Sequence, residues 1–176
     1  MNYRGAIFLL VAVIALAVLF LLKQNNSYLK YSPLETGRPA PNFTLPGLDG
    51  KMVSLSNYQG HVVLVNIWAT WCLPCVDEMP SMEALYQELK DEKFEILAIS
   101  IDEMGTEAVA PFMKKNNLSF PALLDPEGTI KSVYQITGVP ESFIINRQRI
   151  LVEKIIGPRN WADPAAVGYL RDLTRR

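Results

Sequence analysis

The chain contains 176 residues, of which 49% are hydrophobic and 20% are charged, and its formal net charge is −1. This near-neutral balance, without a basic tract, argues against nucleic acid as a partner. The chain has two cysteines and one histidine, which are too few for the four ligands of a closed structural zinc site. We therefore expect no bound metal ion.

The N-terminal part of the chain contains 18 consecutive uncharged residues, at positions 5–22. At about 1.5 Å per residue, a helix of this length spans roughly 27 Å, close to the thickness of a bilayer core. We interpret residues 1–22 as an uncleaved membrane anchor, with a cleaved signal peptide as the alternative. Residues 23–37 are then a linker, and residues 38–176 form one domain outside the cytoplasm.

The predicted domain begins with two short strand-like segments, 43–45 and 52–55, on either side of the turn sequence 47–50, which indicates a β-hairpin. Two longer apolar runs, at 62–67 and 94–101, are typical of strands covered on both faces, as in a parallel sheet. Helices are predicted after residue 72, at 109–116, at 129–134 and at 163–173, and Pro111 is expected in the first turn of the second of these helices. The other predicted strands are an edge strand at 121–124 and two antiparallel strands at 142–146 and 150–156. Strands that alternate with helices and end in a hairpin and a helix predict an α/β sandwich.

Both cysteines, Cys72 and Cys75, lie in the sequence Trp-Cys-Leu-Pro-Cys between the first long strand and the helix that follows it. At the N-terminus of a helix, unpaired N–H groups and the helix dipole stabilise a thiolate. The second cysteine lies within one helical turn and is placed to resolve a mixed disulfide. A purely structural disulfide is the alternative, although so small a loop constrains the unfolded chain little. The pattern indicates thiol–disulfide exchange.

Four segments of the chain resemble the membrane-anchored thioredoxin-like proteins of the TlpA/ResA/CcmG type, and the resemblance covers residues 37–176. The segments are Pro-Ala-Pro-Asn-Phe-Thr-Leu at 39–45, Leu-Asp-Gly-Lys at 48–51, the cysteine site, and Gly-Val-Pro-Glu-Ser-Phe at 138–143. The resemblance implies a thioredoxin-like three-layer α/β sandwich with an N-terminal β-hairpin extension, preceded by one transmembrane helix. It also implies a single-pass protein of the bacterial cytoplasmic (inner) membrane, with the catalytic domain on the extracytoplasmic or periplasmic side.

The resemblance implies a substrate-binding role for several residues near the cysteines. The bond before Pro140 is expected to be cis and to turn the backbone of Val139 toward the disulfide, where it can pair with a substrate chain. Trp71 is expected on the exposed rim of the site, and Trp68 in the core. For Glu141, which follows the proline, a place on the rim and a plain surface charge are both open. Trp71, Val139, Pro140 and Glu141 are the candidate substrate-binding residues.

A third candidate catalytic residue, Glu78, joins the two cysteines by the same resemblance. Thioredoxin has a buried aspartate six residues before its first cysteine, but this position is Asn66 here, and an amide cannot exchange a proton. In the anchored relatives a glutamate three residues after the second cysteine stands near the thiols, and Glu78 has this spacing. A carboxylate there raises the pKa of the thiols and could carry the proton that Cys75 must lose. The alternative for Glu78 is a solvated carboxylate at the start of the helix.

Asp102 lies at the carboxyl end of the second long strand, where the sites of α/β proteins gather. We expect it to cap a helix or to be solvated in a loop.

These features predict an extracytoplasmic thiol–disulfide oxidoreductase that acts as a reductant. Cys72 attacks a substrate disulfide and Cys75 resolves the mixed disulfide, so the only redox group needed is the cysteine pair and no organic cofactor is expected. By resemblance, the substrate is a protein disulfide such as that of an apocytochrome c during cytochrome c maturation. The electron donor implied by the resemblance is a transmembrane protein of the DsbD/CcdA type.

Two other classes of function are open. A peroxiredoxin-like peroxidase shares the opening motif but places a threonine three residues before its cysteine, whereas Thr70 is two residues before Cys72. A non-enzymatic thioredoxin-fold chaperone or copper-binding module is the second class, and copper favours methionine or histidine beside the cysteines. Peroxide turnover and protein-disulfide reduction separate the two enzyme classes.

Overall fold

The computed structural model describes residues 12–19 and 34–176 of the chain. Residues 12–19 are helical, and within the described parts no helix combines the length and the apolar character that crossing a bilayer requires. The predicted anchor (residues 1–22) and linker (residues 23–37) fall for the most part outside the described residues, so both stay predictions. Residues 34–176 form one unit that contains the cysteine site.

The centre of this unit is a mixed β-sheet. Its strands and those of the preceding hairpin are β1 (Thr44–Pro46), β2 (Met52–Ser54), β3 (Val62–Trp68), β4 (Phe94–Ser100), β5 (Ala122–Leu124), β6 (Glu141–Ile145) and β7 (Leu151–Ile156). The main sheet has the order β5-β4-β3-β6-β7; β3, β4 and β5 are parallel, and β6 and β7 run antiparallel to their neighbours. All seven residues of β3 are buried, which explains why its sequence is apolar apart from Asn66. The predicted pair of covered parallel strands is confirmed.

Four helices accompany the sheet in residues 34–176: α1 (Leu73–Leu89), α2 (Thr106–Lys115), α3 (Thr129–Val133) and α4 (Pro164–Arg175), with a short 3-10 helix at Leu55–Tyr58. Helix α1 begins at the cysteine site and buries one face, formed by Cys75, Glu78, Met79, Met82, Leu85 and Leu89. These residues recur every three or four positions, as on one face of a helix. Pro80 lies inside α1 on the exposed side, where the missing N–H leaves the carbonyl of Val76 without a helical partner.

Helix α2 begins three residues earlier than the sequence predicted. Because it starts at Thr106, Pro111 lies in the helix interior and not in the first turn, so its predicted position is wrong. The N-cap residue is Gly105, which has no side chain to bond the first turn. The sequence therefore carries no capping signal at the true start of the helix.

The segment at residues 37–47, which comprises the lead-in to the β1–β2 hairpin, β1 and the first residue of the turn, reaches both edges of the main sheet. Pro39 forms an isolated bridge with Ile150, directly before β7, and Gly47 forms one with Leu123 of the opposite edge strand, β5. Between these two points Phe43 is buried in the core. The predicted hairpin is thus confirmed, and its lead-in segment contributes to the same core as the sheet.

Candidate active site

The two cysteines are joined in a disulfide at the start of α1. Cys72 is the N-cap residue, and the backbone N–H of Cys75 donates to its Sγ at 3.3 Å. The exposed fraction is 6% for Cys72 and 0% for Cys75, so only Cys72 can be reached from solvent. In the dithiol form, the same N–H and the helix dipole stabilise a thiolate on Cys72 and leave Cys75 as the buried resolving thiol.

A loop that ends at Pro140 lies against the disulfide. The Val139–Pro140 peptide bond is cis, and the carbonyl oxygen of Val139 lies 3.5 Å from Cys72 Sγ. The chain directly after β7 is also close to this loop, because the N–H of Gly157 donates to the carbonyl of Pro140 at 2.9 Å. The structure therefore brings together Cys72, Cys75, Val139 and Pro140, as the sequence predicted.

Glu141 occupies neither of the two positions that the sequence left open. Its side chain has no solvent exposure, so it is not a surface charge and it does not face a substrate from the rim. Its Oε1 accepts hydrogen bonds from the N–H and hydroxyl of Thr137, at 2.7 and 2.6 Å, and from the N–H of Gly138 at 3.2 Å. Glu141 thereby holds the loop that carries Val139, from inside the protein.

The other carboxylate oxygen of Glu141 forms an ion pair with Lys154 of β7, which balances the negative charge. The Nζ of Lys154 lies 2.9 Å from Oε2, in the geometry of an ion pair rather than of a well-aligned hydrogen bond. Burial raises the pKa of Glu141, but the hydrogen bonds from Thr137 and the ion pair with Lys154 outweigh it and hold the pKa below the ordinary value. Glu141 is therefore a charged group of the interior.

Glu78 is buried one turn after Cys75 on α1, so the solvated alternative for this carboxylate is wrong. Its Oε1 accepts from Asn66 Nδ2 at 2.9 Å, and its Oε2 accepts from the backbone N–H of Arg159 at 3.1 Å and from Trp161 Nε1 at 3.2 Å. Burial raises the pKa of Glu78, and the three hydrogen bonds oppose this rise only in part. A carboxyl group with a raised pKa, three residues from the resolving thiol on the same buried face of α1, is suited to proton transfer.

Asp102 anchors the chain directly before the cysteine site. It is buried, and it accepts hydrogen bonds from the N–H of Thr70 at 2.9 Å, the hydroxyl of Thr70 at 2.6 Å and the hydroxyl of Ser100 at 2.7 Å. The expectation that Asp102 is solvated or caps a helix is therefore wrong. The signal in the sequence was the pairing of parallel strands, because Trp68 lies opposite Ser100 and the residues that follow both strands meet at one edge.

Exposed apolar side chains surround the buried disulfide. Trp71 is 65% exposed, as predicted for the rim, whereas Trp68 is buried and packs against Phe112 with a centroid distance of 5.2 Å. Leu73 and Met104 are also exposed, and sequence analysis did not single them out. Trp71 and Met104 line an open cavity of about 640 Å³ next to the site.

Metal ligands are not clustered at this site. Within residues 12–19 and 34–176, no group of three or more His, Cys, Asp and Glu side chains is arranged to hold a metal ion. The chemistry available at the site is that of the cysteine pair, with a buried carboxylate behind it.

Fold and site together define a thioredoxin-like thiol–disulfide oxidoreductase: a cysteine pair at a helix N-terminus, on a mixed α/β sheet, opposite a cis-proline loop. The chain belongs to the AhpC/TSA family, whose model matches residues 36–154, and is of the TlpA/ResA/CcmG type. The predicted class of enzyme and the predicted resemblance are confirmed.

Curated relatives and solved structures agree with this assignment. The chain is similar to a thiol-disulfide oxidoreductase ResA of Bacillus cereus, at 38% identity over 80% of each chain. It is similar to ResA of Oceanobacillus iheyensis at 35% identity, over 97% of this chain and 88% of the relative. A thiol:disulfide interchange protein of the thioredoxin family from Chlorobium tepidum TLS has a TM-score of 0.65 and 29% identity, over 81% of this chain and 99% of that chain.

Proposed function

We propose that this protein reduces disulfides of other proteins outside the cytoplasm, and that its substrate is an apocytochrome c whose two thiols must be free before haem attachment. The observation that carries the reductant direction is the environment of Cys72 Sγ. Among the described residues, its polar contacts are one donor, the Cys75 N–H, and one acceptor, the Val139 carbonyl. The carbonyl oxygen disfavours a thiolate and so offsets part of the stabilisation that the N–H and the helix dipole supply. A less stabilised thiolate in the dithiol form makes the reduction potential more negative.

The reaction transfers two electrons from the dithiol to the substrate. The Cys72 thiolate attacks one sulfur of the substrate disulfide, a mixed disulfide forms, and the other substrate sulfur leaves as a thiolate. Cys75 then loses its proton to the Glu78 carboxylate and attacks Cys72 Sγ, which releases the second substrate thiolate. The product is the Cys72–Cys75 disulfide.

The exposed groups around Cys72 favour an extended protein chain as the substrate. Of the two cysteines, Cys72 is the one that solvent reaches. The carbonyl of Val139 lies next to its sulfur, and the exposed Trp71 precedes it in the chain. A backbone carbonyl beside the reacting sulfur can accept a hydrogen bond from a substrate N–H of any sequence. Trp71 adds apolar contact area. Pro140 fixes the position of this backbone next to the site.

The oxidised cysteine pair needs an electron source, and we propose a transmembrane thiol protein of the DsbD/CcdA type. Residues 5–22 then act as the membrane anchor, with the catalytic domain on the extracytoplasmic side. Support for the anchor comes from the apolar run itself and from the match to ResA of Oceanobacillus iheyensis, which spans 97% of this chain and so includes most of that run. An anchored enzyme and a membrane-embedded donor meet without diffusing through the bulk.

The reductant direction is tested by equilibrating the purified protein against dithiothreitol or glutathione. We expect a reduction potential nearer that of thioredoxin, about −270 mV, than that of the oxidant DsbA, about −120 mV. A value above roughly −180 mV, in the range of protein disulfide isomerase, contradicts the proposal. The reaction itself is assayed with a peptide that contains a disulfide-bonded Cys-x-x-Cys-His sequence as the substrate. The same peptide in its reduced form serves as the control.

The order of the two thiols is tested by trapping. Cys75→Ser should accumulate a mixed disulfide with the peptide, because the thiol that resolves it is missing. Cys72→Ser should not accumulate one, since Cys75 has no solvent exposure. Capture of the peptide by the Cys72→Ser variant reverses the assigned roles.

The family match makes a peroxidase the second candidate function. Thr70, the threonine nearest to Cys72 in the sequence, donates its hydroxyl to Asp102 at 2.6 Å, which ties that hydroxyl to the interior of the loop. Hydrogen peroxide and the oxidised peptide are offered to equal amounts of reduced protein. Faster consumption of peroxide than of the peptide replaces the reductase proposal by the peroxidase.

A further inference from the structure

The loop at residues 157–161 is bound to α1 beside Glu78. Trp161 is almost fully buried, and its indole N–H donates to Glu78 Oε2 at 3.2 Å. The backbone N–H of Trp161 donates to the hydroxyl of Ser81 at 3.1 Å, and that hydroxyl donates to the carbonyl of Glu78 at 2.7 Å. Trp161 is 83 residues from Glu78 in the chain, and neither the motifs nor the resemblance singled it out.

We propose that Trp161 is a positioning residue for Glu78: its indole N–H holds the Glu78 side chain as a carboxylate, in a fixed orientation, while the mixed disulfide is resolved. The inference rests on the proposed role of Glu78 as the acceptor of the Cys75 proton. Trp161 itself is not assigned any contact with the substrate or with sulfur.

Glu78 is the acceptor in all of its side-chain hydrogen bonds, and this favours its carboxylate form. Asn66, Arg159 and Trp161 all donate to it. A carboxylate accepts all three as charge-assisted hydrogen bonds, whereas a protonated carboxyl group accepts the same bonds more weakly and adds a donor of its own. Each donor therefore favours the form that can receive the proton of Cys75, against the burial that favours the neutral form.

Glu78 also has a route by which the received proton returns to solvent. An open cavity of about 260 Å³ is lined by Glu78 together with Asp77, Ser81, Pro158, Arg159 and Asn160. Cys75 has no solvent exposure of its own. The balance is thus complete: Cys75 gives its proton to Glu78, its sulfur bonds to Cys72 Sγ, the substrate leaves as a thiolate, and Glu78 returns the proton to water in the cavity.

The other ionisable groups near Glu78 are mostly paired with one another. Arg159 binds Glu153 of β7 at 3.3 Å, and Glu141 of β6 binds Lys154 of β7 at 2.9 Å. On α1 itself the neighbours are the cysteines and the exposed Asp77. Burial raises the pKa of Glu78, and the donors lower it, so a lost donor adds to the rise.

The experiment compares the full chain with its Trp161→Phe variant, which keeps an aromatic ring and removes the N–H. Reduced protein is mixed with 5,5′-dithiobis(2-nitrobenzoate), and two thiol-release phases are followed between pH 5 and 9. The first phase reports attack by Cys72, and the second reports resolution by Cys75. We expect the second phase to slow about threefold to tenfold at pH 7 and its pH profile to move to higher pH. The first phase should stay unchanged.

The same substitution in a Glu78→Gln background is the matched control. If Trp161 acts through Glu78, Trp161→Phe changes the second phase less than twofold there. An unshifted profile in the single variant, or an equal slowing in both backgrounds, overturns the proposal and leaves Trp161 a packing residue. If Glu78→Gln alone leaves resolution unchanged, the proposed role of Glu78 fails, whereas the reduction potential tests the reductant direction separately.

A second variant covers the case in which Trp161→Phe does not fold. Benzothienylalanine at position 161 keeps the size and shape of the indole and has sulfur where the indole carries its N–H. It should reproduce the slowed second phase and the displaced profile. A wild-type profile with this residue contradicts the proposal directly.

Discussion

The hydrogen bonds that Asp102 accepts are expected to stabilise the active-site loop, and this can be tested by substitution. Asp102→Ala removes a buried carboxylate to which the N–H and hydroxyl of Thr70 and the hydroxyl of Ser100 donate. Thr70 stands two residues before Cys72. The substitution is therefore expected to lower both the free energy of unfolding and the rate of disulfide reduction.

The size of the effect follows from the number and kind of these bonds. A hydrogen bond to a charged group contributes about 1.5–3 kcal/mol. The two hydroxyls can turn to other acceptors, so each bond counts for about half, whereas the Thr70 N–H has a fixed direction and its bond counts in full. The expected loss is about 3–6 kcal/mol, a large share of the 5–15 kcal/mol typical of a domain. Asp102→Asn keeps the volume and one acceptor, and should lose about 1–2 kcal/mol.

Urea unfolding followed by fluorescence measures this loss, and insulin reduction by the same samples measures the loss of activity. Glu103→Ala is the control, because Glu103 is the adjacent acidic residue and is exposed. Its unfolding should match that of the wild type. A loss below about 1 kcal/mol for Asp102→Ala, or a loss equal to that of the control, refutes the reasoning.

Three further predictions concern Glu78, Lys154 and Trp71. Because the pKa of Glu78 is raised above 4.5 in the folded state, the folded state binds more protons than the unfolded state. The free energy of unfolding, relative to that of Glu78→Gln, should therefore fall as pH rises from 4.5 to the folded-state pKa. A free energy of unfolding that rises with pH, in urea titrations at pH 4–8, contradicts this. Lys154→Met removes the counter-ion of the buried Glu141 and should lower the free energy of unfolding by about 3–5 kcal/mol. Lys51→Met, at an exposed ion pair, should leave urea unfolding unchanged, and equal effects of the two changes would refute this prediction. Trp71→Ala should change the free energy of unfolding by less than about 0.5 kcal/mol. It should lower kcat/KM for the disulfide-bonded Cys-x-x-Cys-His peptide but not for oxidised dithiothreitol. An equal decrease for both substrates would show that Trp71 does not bind the peptide.

The parts of the fold that the sequence predicted well have signals within a few residues of one another. The runs at 62–67 and 94–101 are mostly apolar because β3 and β4 are covered on both faces. The helix after Cys72 follows directly from one such strand. Helix α2 shows the limit of local signals, since its N-cap is Gly105 and no side chain marks the start.

The misplaced site residues depend on contacts between distant parts of the chain. Glu141 is buried because Lys154, on the next strand, supplies its counter-ion, and Asp102 is buried because Thr70, 32 residues earlier, supplies two donors. A lone acidic residue in a sequence is most often exposed. Only the strand register shows that these carboxylates meet their donors inside the protein.

The bridges of the N-terminal segment to both edge strands affect how two molecules of this protein meet. An open sheet edge offers unpaired N–H and C=O groups to any other strand, which is a common start of aggregation. Here β5 and β7 are the edges. The segment at residues 37–47 contacts β5 through Gly47 and the residue directly before β7 through Pro39. A chain shortened to begin at β3 would keep its cysteines and its central strands, but it would uncover both edges at once. The segment at residues 37–47 thus favours a solitary molecule over edge-to-edge association.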